Sequence, residues 1–262
     1  MLSFVLELAP DVDRTVLERT LTAAQQAAIL ALFQRRIDER IPAAYLTGRA
    51  WFCGLPFTVD ERVIIPRSPI AELIINGFQP WCSAEPNRVL DLCAGSGCIG
   101  IACAYAFEAA EVVVSDISPE AVEVAQSNIA LHKLDYRVSA VESDLFEQLR
   151  GEQFELIVSN PPYVDAEDMA DLPLEFTREP ELGLASGVDG LDITKRILAE
   201  AADYLTDDGV LVVEVGNSQW ALQQTFPDVP FVWVDFIRGG QGVFVLSAAE
   251  CREHQATFES SI

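Results

Sequence analysis

Lysine is nearly absent from this chain. Of its 17 basic side chains only Lys133 and Lys195 are lysines, the arginines are scattered singly apart from Arg35-Arg36, and 41 Asp and Glu residues bring the 262 residues to a formal charge of −24. Phosphate backbones are gripped by clustered Lys and Arg that release counterions, so nucleic acid is disfavoured as a direct substrate. A basic protein would instead be drawn to such a surface, with solubility or a salty cytoplasm as the other source of the acidity. The two histidines, His132 and His254, and six cysteines without a CxxC pair leave no set for a metal and no triad. Cys53, Cys82, Cys93, Cys98, Cys103 and Cys251 are therefore expected as small buried thiols of a reducing compartment. No apolar run approaches the ~20 residues of a membrane span. The start, MLSFVLELAPDVD, lacks the basic end of a signal peptide, so a soluble cytoplasmic protein is expected.

What is present is a globular composition, half hydrophobic and 22% charged, without repeats or low-complexity linkers. Residues 22–40 read as a helix opened by a Thr22–Gln25 capping box and closed before Pro42. AWFCGLPFTVD reads as a β-hairpin around Gly54-Leu55-Pro56, and a helix follows with Ser68 as N-cap and Pro69 at its first position. Residues 1–85 thus form an expected helical and hairpin lobe, and 86–262 a second domain. From Val89 onward strands and helices alternate: VLDL, a Gly-rich turn, CIGIACAYAF, EVVVSD, a helix from Ser118-Pro119, RVSAVESD, FELIVSN, then a helix stopped at Gly209 and VLVVEVG. FVWVDF and GVFVLS close as a hairpin around Gly239-Gly240. This order implies an α/β fold with a mostly parallel, doubly wound sheet covered on both faces, into which the terminal hairpin puts one antiparallel strand.

Chemistry concentrates at strand ends. Asp91-Leu92-Cys93-Ala94-Gly95-Ser96-Gly97-Cys98-Ile99-Gly100 fits G-x-G-x-x-G between a strand and a helix, a turn that brings backbone donors close to a nucleotide-type cofactor. Asp116, followed by Ile117, ends the second strand, where a carboxylate accepts from ribose hydroxyls. NAD enzymes share that feature, so it leaves NAD and S-adenosyl-L-methionine both open. Asp144 ends the third strand, placed to meet an adenine amine while Leu145 and Phe146 cover the ring. The fourth strand runs into Asn160-Pro161-Pro162-Tyr163, a stiff turn whose two prolines lack N–H donors. Asn160 is polar directly after a buried strand and should have a dedicated partner.

DLCAGSGCIG, Asp116, Asp144 and NPPY in this order resemble the seven-stranded, Rossmann-like S-adenosyl-L-methionine-dependent methyltransferases that act on planar amide or amine nitrogens. ERIPAAYLTGRAWFCGLPFTVDERVIIPRSPIAEL before the fold and EPELGLASGVDGL after NPPY are similar to the HemK family of protein-glutamine methyltransferases. PRSPI, AWFCG and NPPYVDAEDM resemble its PrmB-type branch, which methylates ribosomal protein L-three; release-factor enzymes usually carry PRPETE where this chain has PRSPIAEL. The resemblance runs from about Ile41 to Ser247. Family members generally have a longer helical region ahead of IPAAYLT, so a shortened N-terminal lobe, the expected substrate-docking element, is anticipated.

The resemblance implies S-adenosyl-L-methionine held by Asp91, Ala94, Gly95, Ser96, Gly97, Asp116, Ile117, Asp144, Leu145 and Asn160, with no metal. It implies that the Asn160 side-chain oxygen and the Pro161 carbonyl each accept one N–H of a glutamine carboxamide, that Pro162 fixes the geometry and that the Tyr163 ring flanks the amide. The GGQ glutamine of release factors is the alternative substrate, and an adenine amine the third. A ribosome-assembly module that holds cofactor without turnover is the reading from outside catalysis.

Overall fold

The computed structural model describes residues 1–8 and 18–262. In chain order the elements are α1 (Leu2–Val5), α2 (Ala23–Asp38), α3 (Ala43–Thr47), the hairpin β1 (Arg49–Phe52) and β2 (Leu55–Thr58), and α4 (Ile70–Ile75). There follow β3 (Arg88–Leu92), α5 (Cys98–Ala106), β4 (Glu111–Asp116), α6 (Pro119–His132), β5 (Val138–Glu142) and β6 (Phe154–Ser159). The chain continues through α7 (Ala166–Asp171), α8 (Asp192–Tyr204), β7 (Leu205–Glu214), α9 (Gln219–Thr225), β8 (Val232–Trp233), β9 (Val243–Ser247) and α10 (Ala248–Glu259).

Seven strands form one sheet in the order β5-β4-β3-β6-β7-β9-β8. β3 to β7 pair in parallel, while β9 runs antiparallel to both β7 and β8. Both faces are covered, and successive residues of each strand serve opposite cores. Val89, Val112, Val114, Leu156 and Val158 pack with α4, α5, α6 and the hairpin, and Phe52 and Phe57 belong to that same core. Leu90, Ile157, Leu211, Val213 and Phe244 pack with α8, α9 and α10 on the other face. The crossover from β5 to β6 reverses the direction of winding and sets β6 on the other side of β3, so the switch point lies between β3 and β6, where open α/β sheets present a crevice at their carboxyl ends.

The helix starts follow the local chemistry. The Thr22–Gln25 capping box opens α2 as expected, and Ser118 caps α6 through Ala121 N with Pro119 at the first position. Three readings are corrected. The hairpin turns at Cys53-Gly54, with Leu55 and Pro56 already in β2. α4 begins at Ile70, and Ser68 accepts from Ile70 N while its own proton goes to Glu214. The helix expected to stop at Gly209 ends at Tyr204, and Gly209 sits inside β7, where the pairing with β6 shifts register between Phe154 and Leu156. α10, opened by a Ser247–Glu250 capping box, was not anticipated at all.

Candidate active site

A cleft opens at the carboxyl ends of β3, β4, β5 and β6. Gly95, Asp116, Ile117, Asp144, Leu145, Asn160 and Pro162 line it, together with Ser115 and Cys93. Sequence reasoning named the first seven; Cys93 was anticipated only as a buried thiol, and it is half-buried.

The glycine turn is held by its own backbone and by one carboxylate. Gly97 N donates to Ala94 O at 2.8 Å and Ala94 N to Ser115 O at 3.0 Å. Gly97, with φ +74°, is the residue from which α5 starts, and a Cβ there would stand 3.3 Å from the Ala125 Cβ. Asp116 accepts from Gly95 N at 2.8 Å on one oxygen and from Ser118 N at 3.0 Å on the other. Its burial raises its pKa above the ordinary carboxylate value despite these donors. Ile117 beside it is 48% exposed, an apolar side chain left open on the cleft wall. Asp91 lies beneath the turn rather than on it: fully buried, it accepts from Gly100 N at 2.7 Å while its Oδ1 has no partner. Burial pushes its carboxyl up to about 8. Ser96 is also buried, and its carbonyl accepts from Asn128 Nδ2 at 2.9 Å. The same Asn128 exchanges two hydrogen bonds with the Thr58 backbone, so the hairpin is tied to the glycine turn through a residue that no motif marks.

Asp144 differs from expectation. Its Oδ1 is paired with Arg196 Nη2 at 2.8 Å, and both residues line the cleft. Arg196 lies 52 positions away on α8, where nothing local signals it. Leu145 is buried with φ +48°, its carbonyl taking the Ser143 hydroxyl at 2.7 Å.

The Asn160–Tyr163 corner forms the far wall. Asn160 donates from Nδ2 to the Arg67 carbonyl over a long 3.4 Å, and its Oδ1 is shut off from water without any partner. Pro162 lines the cleft, Pro161 is buried, and Tyr163 turns its hydroxyl away to Glu214 at 3.0 Å. Pro161 joins the lining residues Asn160 and Pro162, the Tyr163 ring packs against Gly216 rather than lining the cleft, and Asp91, Ala94, Ser96 and Gly97 hold the glycine turn from beneath.

The roof comes from two distant segments. Val63 and Ile64 precede the sheet, and Pro180, Leu182 and Gly183 follow the corner. They are bound together by Glu179, which takes Arg67 Nη1 at 2.8 Å and Ile65 N at 3.0 Å, while the Arg67 guanidinium lies over the Phe176 ring at 5.1 Å. A Cβ on Gly183 would press into Ile64, so that glycine allows the segments to close. This contact joins PRSPI to EPEL, the two sequence stretches outside the sheet that carried the resemblance. Among the described residues no group of three or more His, Cys, Asp or Glu side chains could hold a metal ion, and no helix is long and apolar enough to cross a membrane.

Residues 71–187 match the family described as "Methyltransferase small domain". The chain is 48% identical over 256 residues to the ribosomal protein uL3 glutamine methyltransferase of Francisella tularensis subsp. tularensis, covering 97% of this chain and 82% of that protein. It is 49% identical over 249 residues to the protein of the same name from Xanthomonas campestris pv. campestris, covering 95% and 80%. Among solved structures the catalytic domain of hMettl16, bound to an RNA hairpin, superposes with a TM-score of 0.58 at 15% identity, covering 86% of this chain and 81% of that one; that likeness concerns the fold. On the extent of the first two matches, the chain belongs to the family of ribosomal protein uL3 glutamine methyltransferases.

Proposed function

We propose that this protein transfers the methyl group of S-adenosyl-L-methionine to the side-chain amide nitrogen of a glutamine in ribosomal protein uL3, and that it is a HemK-family enzyme, a reading supported by the segments ERIPAAYLTGRAWFCGLPFTVDERVIIPRSPIAEL and EPELGLASGVDGL on either side of the NPPY corner. The observation that carries this reading is the unpartnered Asn160 Oδ1 on the wall of a cleft that also holds Gly95 and Asp116. A sealed acceptor without a donor costs ~1–3 kcal/mol, and a carboxamide N–H is the donor it lacks.

The cleft suits the cofactor. The turn exposes backbone near Gly95, Asp116 offers a carboxylate for a ribose diol, and Ile117 and Leu145 present apolar faces to a purine. Ser115 is among the residues around the cleft, and its buried hydroxyl has no partner of its own. The cofactor supplies an activated sulfonium methyl, so the protein has only to bind and aim the groups.

A glutamine amide nitrogen is a poor nucleophile because its lone pair is delocalised. Asn160 Oδ1 and the Pro161 carbonyl, each accepting one N–H, would orient that nitrogen and stabilise the positive charge it gains. Arg67 fixes which end of the Asn160 amide faces the substrate, because its carbonyl can take only the NH2 end. No base is required before attack, since the nitrogen sheds its proton after the methyl arrives. Asp144, held by Arg196, would meet the adenine edge as an ion pair rather than a free carboxylate.

The −24 charge favours a basic protein substrate, met in the cytoplasm by a docking lobe formed from residues 1–85. Incubating the protein with methyl-labelled cofactor and, in parallel, free uL3, a release factor and DNA tests the assignment. Label on a uL3 glutamine is expected; label on the release factor or DNA alone would refute it.

A further inference from the structure

We propose that Glu214, at the end of β7, is a positioning residue for methyl transfer: bound by Ser68 on one oxygen and Tyr163 on the other, it fixes the outgoing end of the Asn160–Tyr163 corner. This rests on the function proposed above. Pro161 and Pro162 have no N–H, so the corner cannot be anchored by its own donors and must be held at its two ends. At the incoming end the Ser159 hydroxyl donates to the Leu92 carbonyl at 2.8 Å. At the outgoing end Tyr163 is held three ways. Its carbonyl accepts from Ser218 Oγ at 2.8 Å, its hydroxyl donates to Glu214 Oε1 at 3.0 Å, and its ring lies so close to Gly216 that a Cβ there would collide with it.

Glu214 Oε2 accepts from Ser68 Oγ at 2.5 Å. Ser68 directly follows Arg67, whose carbonyl takes Asn160 Nδ2. One two-residue segment therefore reaches both ends of the corner, Asn160 through its backbone and Tyr163 through Glu214. Glu214 is 4% exposed, and its oxygens are satisfied by neutral hydroxyls rather than by a cation. Burying a carboxylate in that manner is costly, and two packed apolar side chains would hold the fold as well; what they could not do is fix a tyrosine hydroxyl in one place.

The surroundings set a pH dependence. Arg67 favours the carboxylate, while Glu72 and Arg238 line the small cavity beside Ser68 and Glu214. Burial outweighs the donors and the guanidinium and pushes Glu214 up to about 7. As a carboxylate it accepts both hydroxyls. Once protonated, one oxygen must donate, and either Ser68 or Tyr163 has to turn.

The test uses the full chain, with uL3 as substrate, cofactor at saturation and pH from 5.5 to 9. Glu214→Gln is expected to lower kcat roughly 10- to 100-fold, the range a displacement of about 1 Å produces, with the cofactor Kd within two-fold of wild type. Wild-type kcat should fall on the acid side of about pH 7, and that inflection should be missing from Glu214→Gln. A kcat within two-fold of wild type, a cofactor affinity that falls in step with kcat, or an inflection that persists in the variant would each overturn the proposal. If Glu214→Gln does not fold, Ser68→Ala decides: a lowered kcat with the inflection moved to higher pH supports the role, and an unaltered profile refutes it. A wild type that methylates the release factor instead of uL3 would refute the substrate assignment, and the same ratios would then be read on that substrate.

Discussion

Replacing Asn160 by alanine separates activity from stability, because the two should move in opposite directions. The Asn160 side chain contributes one hydrogen bond at the long limit, 3.4 Å to the Arg67 carbonyl, and buries one acceptor that has none. The bond is worth at most about 0.5–1 kcal/mol, whereas the sealed oxygen costs ~1–3 kcal/mol. Alanine removes both and keeps the extended backbone that a residue before proline prefers. Folding free energy should therefore be unchanged or improved by ~1 kcal/mol, a rise of about 2–4 °C in Tm for a chain of this size. Turnover should fall ~10²–10³-fold, the loss that accompanies removal of one preorganised group facing a developing charge. Cofactor affinity should stay within a few-fold. Calorimetric melting, cofactor titration and methylation of uL3 on one preparation supply all three values. A Tm several degrees below wild type, or turnover above a tenth of wild type, would refute the assignment of Asn160 as a poised acceptor.

Asp116→Asn should raise the cofactor Kd at least ten-fold while leaving turnover at saturating cofactor within a few-fold, because one of its two backbone donors would then meet an NH2 group; an unchanged Kd in a titration counts against it. Asp91 holds its proton to about pH 8 in the fold, whereas the unfolded chain releases it near 4. Its contribution is thus complete below about pH 4 and is lost as pH rises to 8, so the Tm of Asp91→Asn should gain on wild type across that window and run parallel above it. Free uL3 should be methylated faster than assembled large subunits, and the difference should shrink with added salt; equal rates would remove the steering argument.

The parts of the site that the sequence made legible are those fixed by neighbours along the chain. DLCAGSGCIG had to be a strand, a turn and a helix because its glycines and apolar run allow little else, and Asp116 and Asn160 follow directly on buried strands. What could not be read are pairings across the fold. Arg196 reaches Asp144, Glu179 reaches Arg67 over 112 positions, and Asn128 joins Thr58 to Ser96. Each is an ordinary polar residue whose meaning comes only from what the sheet brings beside it. Gly209 misled for a physical reason: glycine usually ends a helix, yet here it admits an irregular pairing inside β7, where a Cβ would stand 3.0 Å from the Phe154 carbonyl. The Ser247–Glu250 box that opens α10 is by contrast a local signal, set directly at the end of β9.

The ion pair between Arg67 and Glu179 bears on biosynthesis. The four strands β3 to β6 are made between its two halves, so a ribosome that has released only the first 170 residues has already produced the glycine turn and the proline corner but not the carboxylate that draws Pro180 and Leu182 over them. A nascent chain at that stage carries the floor and only the Val63–Ile64 half of what covers it; the other half follows with Glu179, and Arg196, the partner of Asp144, is made later still.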